Sequence, residues 1–567
     1  ARCLEEIALM LEIEGENPFK IRAYRQGAET VRDYDGDILA LARDNQLDGI
    51  KGIGKALQEK LHELATAGSL DFHQKLKAQY PASFFDLFEL SGLGPKKIAA
   101  LYHELGVDSI ESLESACREQ RVARLSGFGT KTEQKILAAI DQRKNFADRF
   151  RVDTATAIAE EMLDTLRSHP DALRVALAGS LRRAKETVGD LDFIVATKKP
   201  GDLTAFFSQL DIATEVIAHG DTKCSIRLEN GLQCDLRAVS HEQFPFALQY
   251  FTGSKEHNVA LRSRALKQKL SLNEYGFSGD ADIPGVHDEA DLYKVLGLTF
   301  IEPELRENRG EIEASDTGDL PDLVSWENLR GTFHNHTTDS DGRATLEQMA
   351  TAAMDLGLQY LGIADHSQSS VQANGLTLER LHQQIEKIRQ WNHERGDEIW
   401  LFAGSEVDIH KDGQLDFDDD TLSALDYVVA SIHQSFTLDE KTMTKRLIRA
   451  MENPHVTMVG HLTGRLLLRR DPYALNHEKI IDCAAATGTV IELNANPRRL
   501  DMDWRWWKRA RDRGVLCSIN PDAHRPEQFQ YLRFGANVAR KGWLTRQDVL
   551  NTMDLPTIKA FLSEKRG

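Results

Sequence analysis

The sequence lacks the features that mark secreted and membrane proteins. Its 567 residues include six scattered cysteines and no Cys-x-x-Cys pair, so neither a disulfide framework nor a thiolate zinc site is expected. No run approaches the roughly 18 apolar residues of a membrane helix, and the first 15 residues lack the basic start and cleavage site of a signal peptide. These absences predict a cytoplasmic protein with reduced thiols and no membrane partner.

The sequence also lacks an excess of positive charge. Its net charge is −18, which taken alone argues against a nucleic-acid partner. Net charge is a weak guide in a multidomain chain, because local basic stretches such as LGPKKI, SLRRAK and NVALRSRALKQK can contact phosphates. The length predicts about three to five domains, and we expect a monomer.

Residues 1–145 have helical patterns and no convincing strand, and one glycine turn recurs three times in them. The copies are IKGIGKAL, LSGLGPKKI and LSGFGTKTEQKI. A single copy is equally typical of a plain turn between helices, whereas three copies, each followed by lysine, favour helix-hairpin-helix motifs that bind DNA phosphates through backbone N–H groups and lysine. The predicted DNA contacts are Gly52, Gly54, Lys55, Gly92, Gly94, Lys96, Gly127, Gly129 and Lys131.

The stretch AGSLRRAKETVGDLDFIVA, residues 178–196, predicts a phosphate-handling metal site. Asp190 and Asp192 alternate with apolar residues on a predicted strand, so their carboxylates share one face. Asp235, in LQCDLRAV, points away from its apolar neighbours and can complete the site from an adjacent strand. Three carboxylates can hold two Mg²⁺ or Mn²⁺ ions about 3.5–4 Å apart. The Gly179–Ser180 turn and Arg183 would bind the outer phosphates; the alternative is solvated strand carboxylates.

Residues 329–567 alternate short apolar runs with helical patterns, which predicts about seven parallel βα units closed into a barrel. Metal-competent side chains follow these runs, where parallel barrels carry their active sites. They are His334, His336, Asp341, His366, Glu406, His433, His461, Asp522 and His524. Imidazole and carboxylate without thiolate suit Zn²⁺, Mn²⁺ or Fe, and the number of ligands exceeds one ion's capacity. Two or three metals predict hydrolysis of a phosphoester.

Both halves resemble known families. HNHTTDSDG, ADH, GSEVD, SIH, GH and DAH resemble, in this order, the polymerase-and-histidinol-phosphatase (PHP) domain, which implies a trinuclear cluster on the same nine residues. GSLRRAKETVGDLD, CDLR, YFTGSKEHNVALR and LNEYGF, with the N-terminal NPFKIRAYR, IKGIGKALQEKL and LATAGSL, resemble the family X DNA polymerases. Together they resemble bacterial family X polymerases with a C-terminal PHP domain.

The polymerase resemblance implies individual roles. Asp190, Asp192 and Asp235 would be the catalytic carboxylates, with Asp235 activating the primer 3′-hydroxyl. The implied contacts to nucleotide and nascent pair are Ser180, Arg183 and Gly189 at the triphosphate, Tyr250, Phe251 and Gly253 at the sugar, and Asn258 and Arg262 at the nascent pair and template. Without the surrounding match, the Tyr-Phe pair alone favours core packing.

The N-terminal segment resembles the family's 8-kDa domain, which grips the 5′-phosphate of a gap and in some relatives has deoxyribose-phosphate lyase activity. Lys60 falls at the position of the Schiff-base lysine, with Lys20 and Tyr24 at supporting positions. Where those relatives carry another lysine and a histidine, this chain has Ala56 and Phe19. Because lysine catalysis depends on tuned neighbours, we expect 5′-phosphate binding and leave lyase chemistry open; the alternative for Lys60 is a solvated helix lysine.

The predicted architecture has six parts, combining an α-helical N-terminal region, an α+β nucleotidyltransferase and an α/β barrel of the (β/α)7 type. The parts are a helical 8-kDa-like domain (1–80), a helical DNA-binding subdomain (81–145), a nucleotidyltransferase palm (146–240), a thumb-like nucleotide-selection subdomain (241–305), an acidic linker (306–328) and the PHP barrel (329–567).

The predicted function is short-gap filling in DNA repair, base excision repair in particular, on gapped or primed DNA with deoxynucleoside triphosphates. The resemblance adds a 3′–5′ exonuclease and an abasic-site endonuclease without ranking them. Three alternatives stay open: a repair nuclease whose polymerase half acts as a DNA clamp, a small-molecule phosphatase, and a non-enzymatic DNA-end-binding scaffold.

Overall fold

The computed structural model describes residues 2–33, 38–50, 52–90, 93–146, 149–279 and 285–566. The chain forms two compact units, Ala1–Ala147 and Asp148–Gly567. All six cysteines are free thiols. Among the described helices, none combines the length and the apolar character needed to cross a membrane.

The first unit is helical, and its described residues contain no strand, as the sequence predicts. Its described helices, α1 to α8, are Arg2–Ile13, Pro18–Asp33, Ile38–Arg43, Lys55–Ala67, Asp71–Lys77, Pro95–Leu105, Ile110–Arg118 and Thr130–Phe146, and its 3₁₀ helices are Ala82–Glu89 and Val122–Arg124. Apolar residues spaced one helical turn apart, such as Leu4, Ile7 and Leu11 of α1, point into one core. That core positions the glycine turns at the surface.

The second unit begins with a mixed sheet, the palm. Its strands and helices are β1 Phe150–Arg151, α9 Val152–Ser168, β2 Arg174–Leu177, α10 Gly179–Arg182, β3 Thr187–Val188, β4 Asp190–Ala196, α11 Pro200–Ser208, β5 Ala213–His219, β6 Lys223–Leu228 and β7 Gln233–Val239. The main sheet has the order β2-β4-β7-β6-β5, with β4 and β7 parallel. On β4, Leu191, Phe193 and Val195 face the main core, while Ile194 packs on the other side. This period of two leaves Asp190 and Asp192 on one open face.

A thumb-like segment follows. It contains α12 Phe244–Thr252, α13 Lys255–Lys267, β8 Leu270–Asn273, β9 Gly276–Gly279, α14 Glu289–Val295, a 3₁₀ turn Pro303–Leu305 and α15 Glu311–Thr317. The last of these lies inside the segment predicted to be a linker, and this structure corrects that interpretation.

Residues 306–328 are folded and packed. Arg306 and Glu311 are fully buried, and Val324 belongs to the main apolar core. Arg306 pairs with Glu289 at 2.6 Å, and the Glu311 carboxylate accepts from His257 Nδ1 at 2.7 Å. The sequence misleads here because the segment is held by buried ion pairs with distant partners and not by an apolar periodicity.

The C-terminal half is a parallel barrel with strand order β10 to β16. Its elements are β10 Gly331–Thr332, α16 Leu346–Asp355, β11 Tyr360–Ile363, α17 Leu378–Arg395, β12 Trp400–Asp408, α18 Asp419–Ser423, β13 Tyr427–Ser431, α19 Glu440–Met451, β14 Met458–Val459, α20 His477–Thr487, β15 Val490–Asn494, α21 Trp507–Asp512, β16 Cys517–Asn520, α22 Leu532–Lys541 and α23 Leu555–Arg566, with 3₁₀ helices at Trp326–Asn328, Val371–Ala373, Trp504–Trp506, Pro526–Tyr531, Arg546–Asp548 and Leu550–Thr552.

The barrel is nearly closed and its interior is packed. Backbone hydrogen bonds from Ala523 N to His334 O (3.2 Å) and from His336 N to Ala523 O (2.8 Å) join the segments after the first and last strands. Tyr427 fills the interior, and a Cβ at Gly404 would lie 2.3 Å from its ring, which explains the glycine in β12. A filled interior restricts the polar side chains to the ends of the strands.

Candidate active sites and nucleic-acid interface

The palm brings the three predicted carboxylates together. Asp192 and Asp235 are directly paired positions of β4 and β7, and Asp190 lies two residues before Asp192. One carboxylate oxygen of each lies within 4.8 Å of the others. Gln233 donates from Nε2 to both oxygens of Asp235 at 3.2 Å. The sequence periodicity placed the aspartates on one face, but only the parallel β4–β7 register brings Asp235 against Asp192.

Nearby arginines compensate this acidic cluster only in part. Burial, together with the charges of Asp190 and Asp235, raises the pKa of Asp192 to about 7. Burial and Asp235 also raise the pKa of Asp190. Three converging carboxylates with oxygen-only donors fit Mg²⁺ or Mn²⁺, because divalent cations would offset both the burial and the repulsion that raise these pKa values.

A cleft of about 570 Å³ opens beside the cluster. Its lining includes Asp190 and Asp192 and most of the predicted nucleotide contacts, namely Gly179, Ser180, Arg183, Tyr250, Phe251, Gly253, Asn258 and Arg262. Gly189 directly precedes Asp190 and is not among the described residues that line the cleft. Ser254, Lys255 and Val259 also line it; sequence reasoning had not singled these out, although they lie within the quoted GSKEHNVALR motif.

The Gly179–Ser180 turn is shaped by its proximity to the carboxylates. Gly179 has φ +67°, and a Cβ there would lie 2.1 Å from an Asp192 oxygen, so only glycine fits. The buried hydroxyl of Ser180 has no hydrogen-bond partner in the described part of the chain. An unpartnered hydroxyl and the cationic Arg183, both lining the cleft beside acidic metal ligands, suit a phosphate group.

The far wall of the cleft is aromatic. Tyr250 and Phe251 lie edge to face with centroids 5.1 Å apart, and the guanidinium of Arg262 lies 5.0 Å from the Tyr250 ring. Asn258 donates to the Tyr250 carbonyl at 2.7 Å. The Tyr-Phe pair therefore faces the cleft and is not restricted to core packing, which suits contact with a sugar and base pair.

The barrel gathers all nine predicted ligands at the ends of its strands. Each of its three carboxylates is surrounded by imidazoles. Glu406 lies 2.9–3.3 Å from nitrogens of His461, His366, His433 and His334. Asp522 lies 3.4 Å from His336 Nε2, and Asp341 lies 3.3 Å from His524 Nε2. Three groups with metal-binding geometry overlap in this cluster.

A second ring of acids holds the imidazoles. Glu492 accepts from His334 Nδ1 at 2.7 Å and from the His461 backbone N–H at 2.6 Å. Asp408 lies 2.5 Å from His433 Nδ1. The sequence analysis predicted neither residue. A signal existed for Glu492, because its strand, β15, was the one predicted apolar run that supplied no ligand. Such outer carboxylates fix the ring orientation and tautomer of metal-binding histidines.

The barrel charges compensate one another. Burial alone would lower the pKa of His433, but Glu406 raises it to about 10. Burial also opposes ionisation of Asp341, yet His524 and His336 lower its pKa to about 2. Burial together with His524 and His366 lowers the pKa of His336 to about 3.

The donor set fits metal ions. His336 is fully buried, and neither of its ring nitrogens has a hydrogen-bond partner among the described residues; His334 Nε2 and His461 Nδ1 are likewise buried without one. A buried imidazole nitrogen without a hydrogen-bond partner lowers the stability of the fold unless it donates its lone pair to a metal ion. The cluster therefore fits more than one transition-metal ion.

The glycine turns of the first unit precede helices. Gly52 has φ +92°, and Gly54 caps α4, whose first residue is Lys55. Gly94 caps α6, with Lys96 in its first turn. Gly127 and Gly129 have positive φ before α8, which carries Lys131 in its first turn. Gly92 lies outside the described residues. The described turns place lysine beside free helical N–H groups.

The residues with implied lyase roles gather around one ring that sequence reasoning missed, Phe72. The ammonium groups of Lys60 and Lys20 lie 4.7 and 5.7 Å from its centroid, and Tyr24 stacks on it at 6.3 Å. Lys20 also pairs with Glu16 at 3.4 Å. The two cations form a local basic patch.

The geometry thus defines a nucleotidyltransferase-type palm joined to a histidine-rich metallohydrolase-type barrel. Family models match at four places: Helix-hairpin-helix domain (1–70), SAM-like Helix-hairpin-helix tandem (84–142), DNA polymerase beta thumb (247–307) and PHP domain (332–496). The last stops short of Asp522 and His524, which the fold nevertheless brings into the cluster.

Curated relatives match both halves. DNA polymerase/3′-5′ exonuclease PolX of Bacillus subtilis (strain 168) is 40% identical over 99% of this chain and 98% of its own length. A probable phosphatase of Thermoanaerobacter sp. (strain X514) is 29% identical over 41% of this chain and 94% of its own length. DNA polymerase lambda of Rattus norvegicus is 23% identical over 54% of this chain and 55% of its own length. The chain belongs to the PolX family, the family X DNA polymerases with a C-terminal PHP domain.

Proposed function

We propose that this protein is a DNA-directed DNA polymerase that fills short gaps during DNA repair and carries a 3′–5′ exonuclease in its barrel. The observation that carries this proposal is the presence, in one folded unit, of two separate ligand sets of different chemistry. The full-length similarity to a polymerase/3′-5′ exonuclease supports it. Abasic-site endonuclease activity would use the same barrel cluster.

In the palm, Asp190, Asp192 and Asp235 would hold Mg²⁺ or Mn²⁺, which supplies positive charge for the phosphoryl group in transfer. Ser180 and Arg183 bind the outer phosphates from the cleft wall. Tyr250 and Phe251 contact the sugar, and Asn258 and Arg262 face the nascent base pair. Asp235, held by Gln233, accepts the proton of the primer 3′-hydroxyl.

In the barrel, the nine clustered side chains would hold two or three Mn²⁺, Zn²⁺ or Fe ions, which supply Lewis acidity and lower the pKa of water. Glu492 and Asp408 keep the imidazoles in one orientation. His524 and Asp341 are the most exposed members of the cluster and face an entering strand end.

The first unit binds the DNA that flanks a gap. Its glycine turns contact backbone phosphates without reading sequence, so we expect binding to weaken with salt. The patch of Lys20 and Lys60 binds the 5′-phosphate. Trapping with borohydride on an abasic 5′ end, compared in wild type and Lys60→Ala, tests for a Schiff base.

The central test uses a duplex with a one-nucleotide gap, a downstream 5′-phosphate and a 5′-labelled primer. Primer length is followed in Mn²⁺ with and without nucleotides. We expect templated growth by one nucleotide that is lost in Asp190→Ala, and shortening that is lost in His336→Ala. Asp202→Ala and His382→Ala change exposed residues of the same types in each half and serve as matched controls.

The outcomes separate the alternatives. Shortening without growth would make the barrel the working enzyme and the palm a DNA clamp. Hydrolysis of histidinol phosphate with no action on DNA would favour a small-molecule phosphatase. Binding of DNA ends without turnover in either assay would favour a scaffold.

A further inference from the structure

A lysine of the barrel is buried beside the polymerase cleft. Lys541 ends α22, and its side chain is fully buried. Its ammonium donates to Glu307 Oε1 at 2.6 Å, to the Arg183 carbonyl at 2.8 Å and to the Glu304 carbonyl at 3.2 Å. It also lies 4.5 Å from the Trp504 ring. All three acceptors belong to the polymerase half of the chain.

Glu307 connects this lysine to the phosphate-binding side of the cleft. The same oxygen that accepts from Lys541 accepts from Arg183 Nε at 3.1 Å, and the other oxygen pairs with Lys185 at 3.1 Å. Its side chain is only 10% exposed. One buried carboxylate is therefore shared by a barrel lysine and two palm cations.

Arg183 is thus held at both ends. Its guanidinium bonds Glu307 and the Thr252 carbonyl, and its own carbonyl accepts from Lys541. The Arg183 guanidinium also packs against Gly253, where an added Cβ would lie 3.1 Å from Nη1. Loss of Lys541 would remove the hydrogen bond to the Arg183 carbonyl and leave Glu307 paired with the two palm cations alone.

Stabilisation of the interface between the barrel and the polymerase half does not by itself explain why a lysine occupies this position. Burying an ammonium is expensive, and an apolar side chain of similar volume usually holds a packed interface as well or better. Here burial lowers the pKa of Lys541 to about 8. Two of the hydrogen bonds of Lys541 lead instead to Arg183, one directly to its carbonyl and one through Glu307, and Arg183 lines the cleft.

Resting on the function proposed above, we propose that Lys541 is a positioning residue for the polymerase: through Glu307 and the Arg183 carbonyl, the exonuclease barrel fixes the arginine that binds the nucleotide triphosphate. The barrel is then a structural part of the polymerase site and not only a second enzyme on the same chain.

The test measures single-nucleotide gap filling against nucleotide concentration in the full-length protein, and primer shortening without nucleotides. For Lys541→Met we expect the nucleotide KM to rise about tenfold with kcat changed less than about threefold and shortening unchanged. Glu307→Gln should act in the same direction. Because both variants break the same chain of contacts, Lys541–Glu307–Arg183, the nucleotide KM of the double variant should also rise about tenfold and not about a hundredfold.

Lys508→Met is the matched control. Lys508 is another barrel lysine at the same interface, donating to the Arg309 carbonyl at 3.3 Å, but it does not contact Glu307 or Arg183 in the described structure. It should leave the nucleotide KM unchanged. A general loosening of the interface would raise the KM in both lysine variants.

Each other outcome overturns the inference. A nucleotide KM within twofold of wild type in Lys541→Met, with normal shortening, removes the positioning role. Should that variant lose both activities through misfolding, Glu307→Gln decides, and an unchanged KM there has the same meaning. Loss of both activities in both variants would mean that the Lys541–Glu307–Arg183 contacts only stabilise the fold. If the wild-type protein adds no nucleotide, the proposed function is wrong, and the inference that rests on it fails as well.

Discussion

The palm and the barrel each gather acidic side chains, but they balance charge in different ways. In the palm, three aspartates converge without a histidine, and the pKa of Asp192 rises to about 7 mainly through burial and its acidic neighbours. In the barrel, every carboxylate of the cluster lies against imidazoles, and the pKa of Asp341 falls to about 2. The palm site is open to a cleft of about 570 Å³, whereas most barrel ligands are buried.

This difference teaches how each site depends on its ligands. The palm carboxylates repel one another, so this cluster depends on added positive charge such as a divalent cation. The barrel cluster is held by its own ion pairs and by the outer acids Glu492 and Asp408, so it is organised before substrate binds.

The largest expected effect is a reciprocal loss of activity. Asp192→Asn should reduce gap filling by at least about 10³-fold, because a metal-binding carboxylate is lost, with primer shortening unchanged. His336→Asn should do the reverse. Gel-based assays on one gapped substrate measure both. A comparable fall of both activities in either variant would contradict two independent sites.

A second prediction tests the contact between the two regions. Burial opposes ionisation of Glu307, but Lys541 and Lys185 lower its pKa from 4.5 to about 2. Because the pKa is lower in the folded protein, this stabilisation is fully present above about pH 4.5 and is lost as pH falls toward 2. Glu307→Gln should lower the free energy of unfolding by about 2–3 kcal/mol at pH 7.

Urea unfolding of both proteins between pH 7 and 3 measures this difference, which should shrink below pH 4.5. Glu313→Gln, an exposed change in α15, is the control and should follow wild type throughout. A difference that does not depend on pH would show that packing, and not the ion pairs, stabilises the segment.

A third prediction tests the outer ring of the barrel. Glu492→Gln keeps the shape of the side chain but weakens its hydrogen bond with His334 Nδ1. The rate of primer shortening should therefore fall about 10- to 100-fold. Bound metal, measured by elemental analysis after gel filtration, should fall too, while gap filling should not change. Glu478→Gln on the barrel surface is the control. Full metal content with normal shortening would exclude this role.

The smallest predicted effect concerns stability without metal. In chelator, Asp192→Asn should raise the free energy of unfolding by about 1 kcal/mol, because one of three mutually repelling carboxylates becomes neutral. His336→Asn should not stabilise the protein. Thermal unfolding with and without excess Mg²⁺ measures this, and Mg²⁺ should remove the advantage of Asp192→Asn. A destabilised Asp192→Asn in chelator would mean that the palm cluster is not repulsive.

Much of the fold follows from local patterns. The strand DLDFIVA alternates over its first four residues, so its period fixed which face carries Asp190 and Asp192. In the barrel, each short apolar run became a strand, and ligands that follow such runs meet at one end whatever the details of packing. The segment 306–328 shows the limit of this reasoning, since its acidic composition predicted a solvated linker, whereas Arg306, Glu307 and Glu311 are buried or nearly so.

The sequence by itself therefore determined the two ligand sets, because period-two alternation and strand ends are local properties. Only the tertiary structure decided which residues support them. Glu492 lies 158 positions from His334, and Lys541 lies 234 positions from Glu307. No local pattern predicts such pairs, because the effect of a buried charge depends on the partner that tertiary packing places beside it.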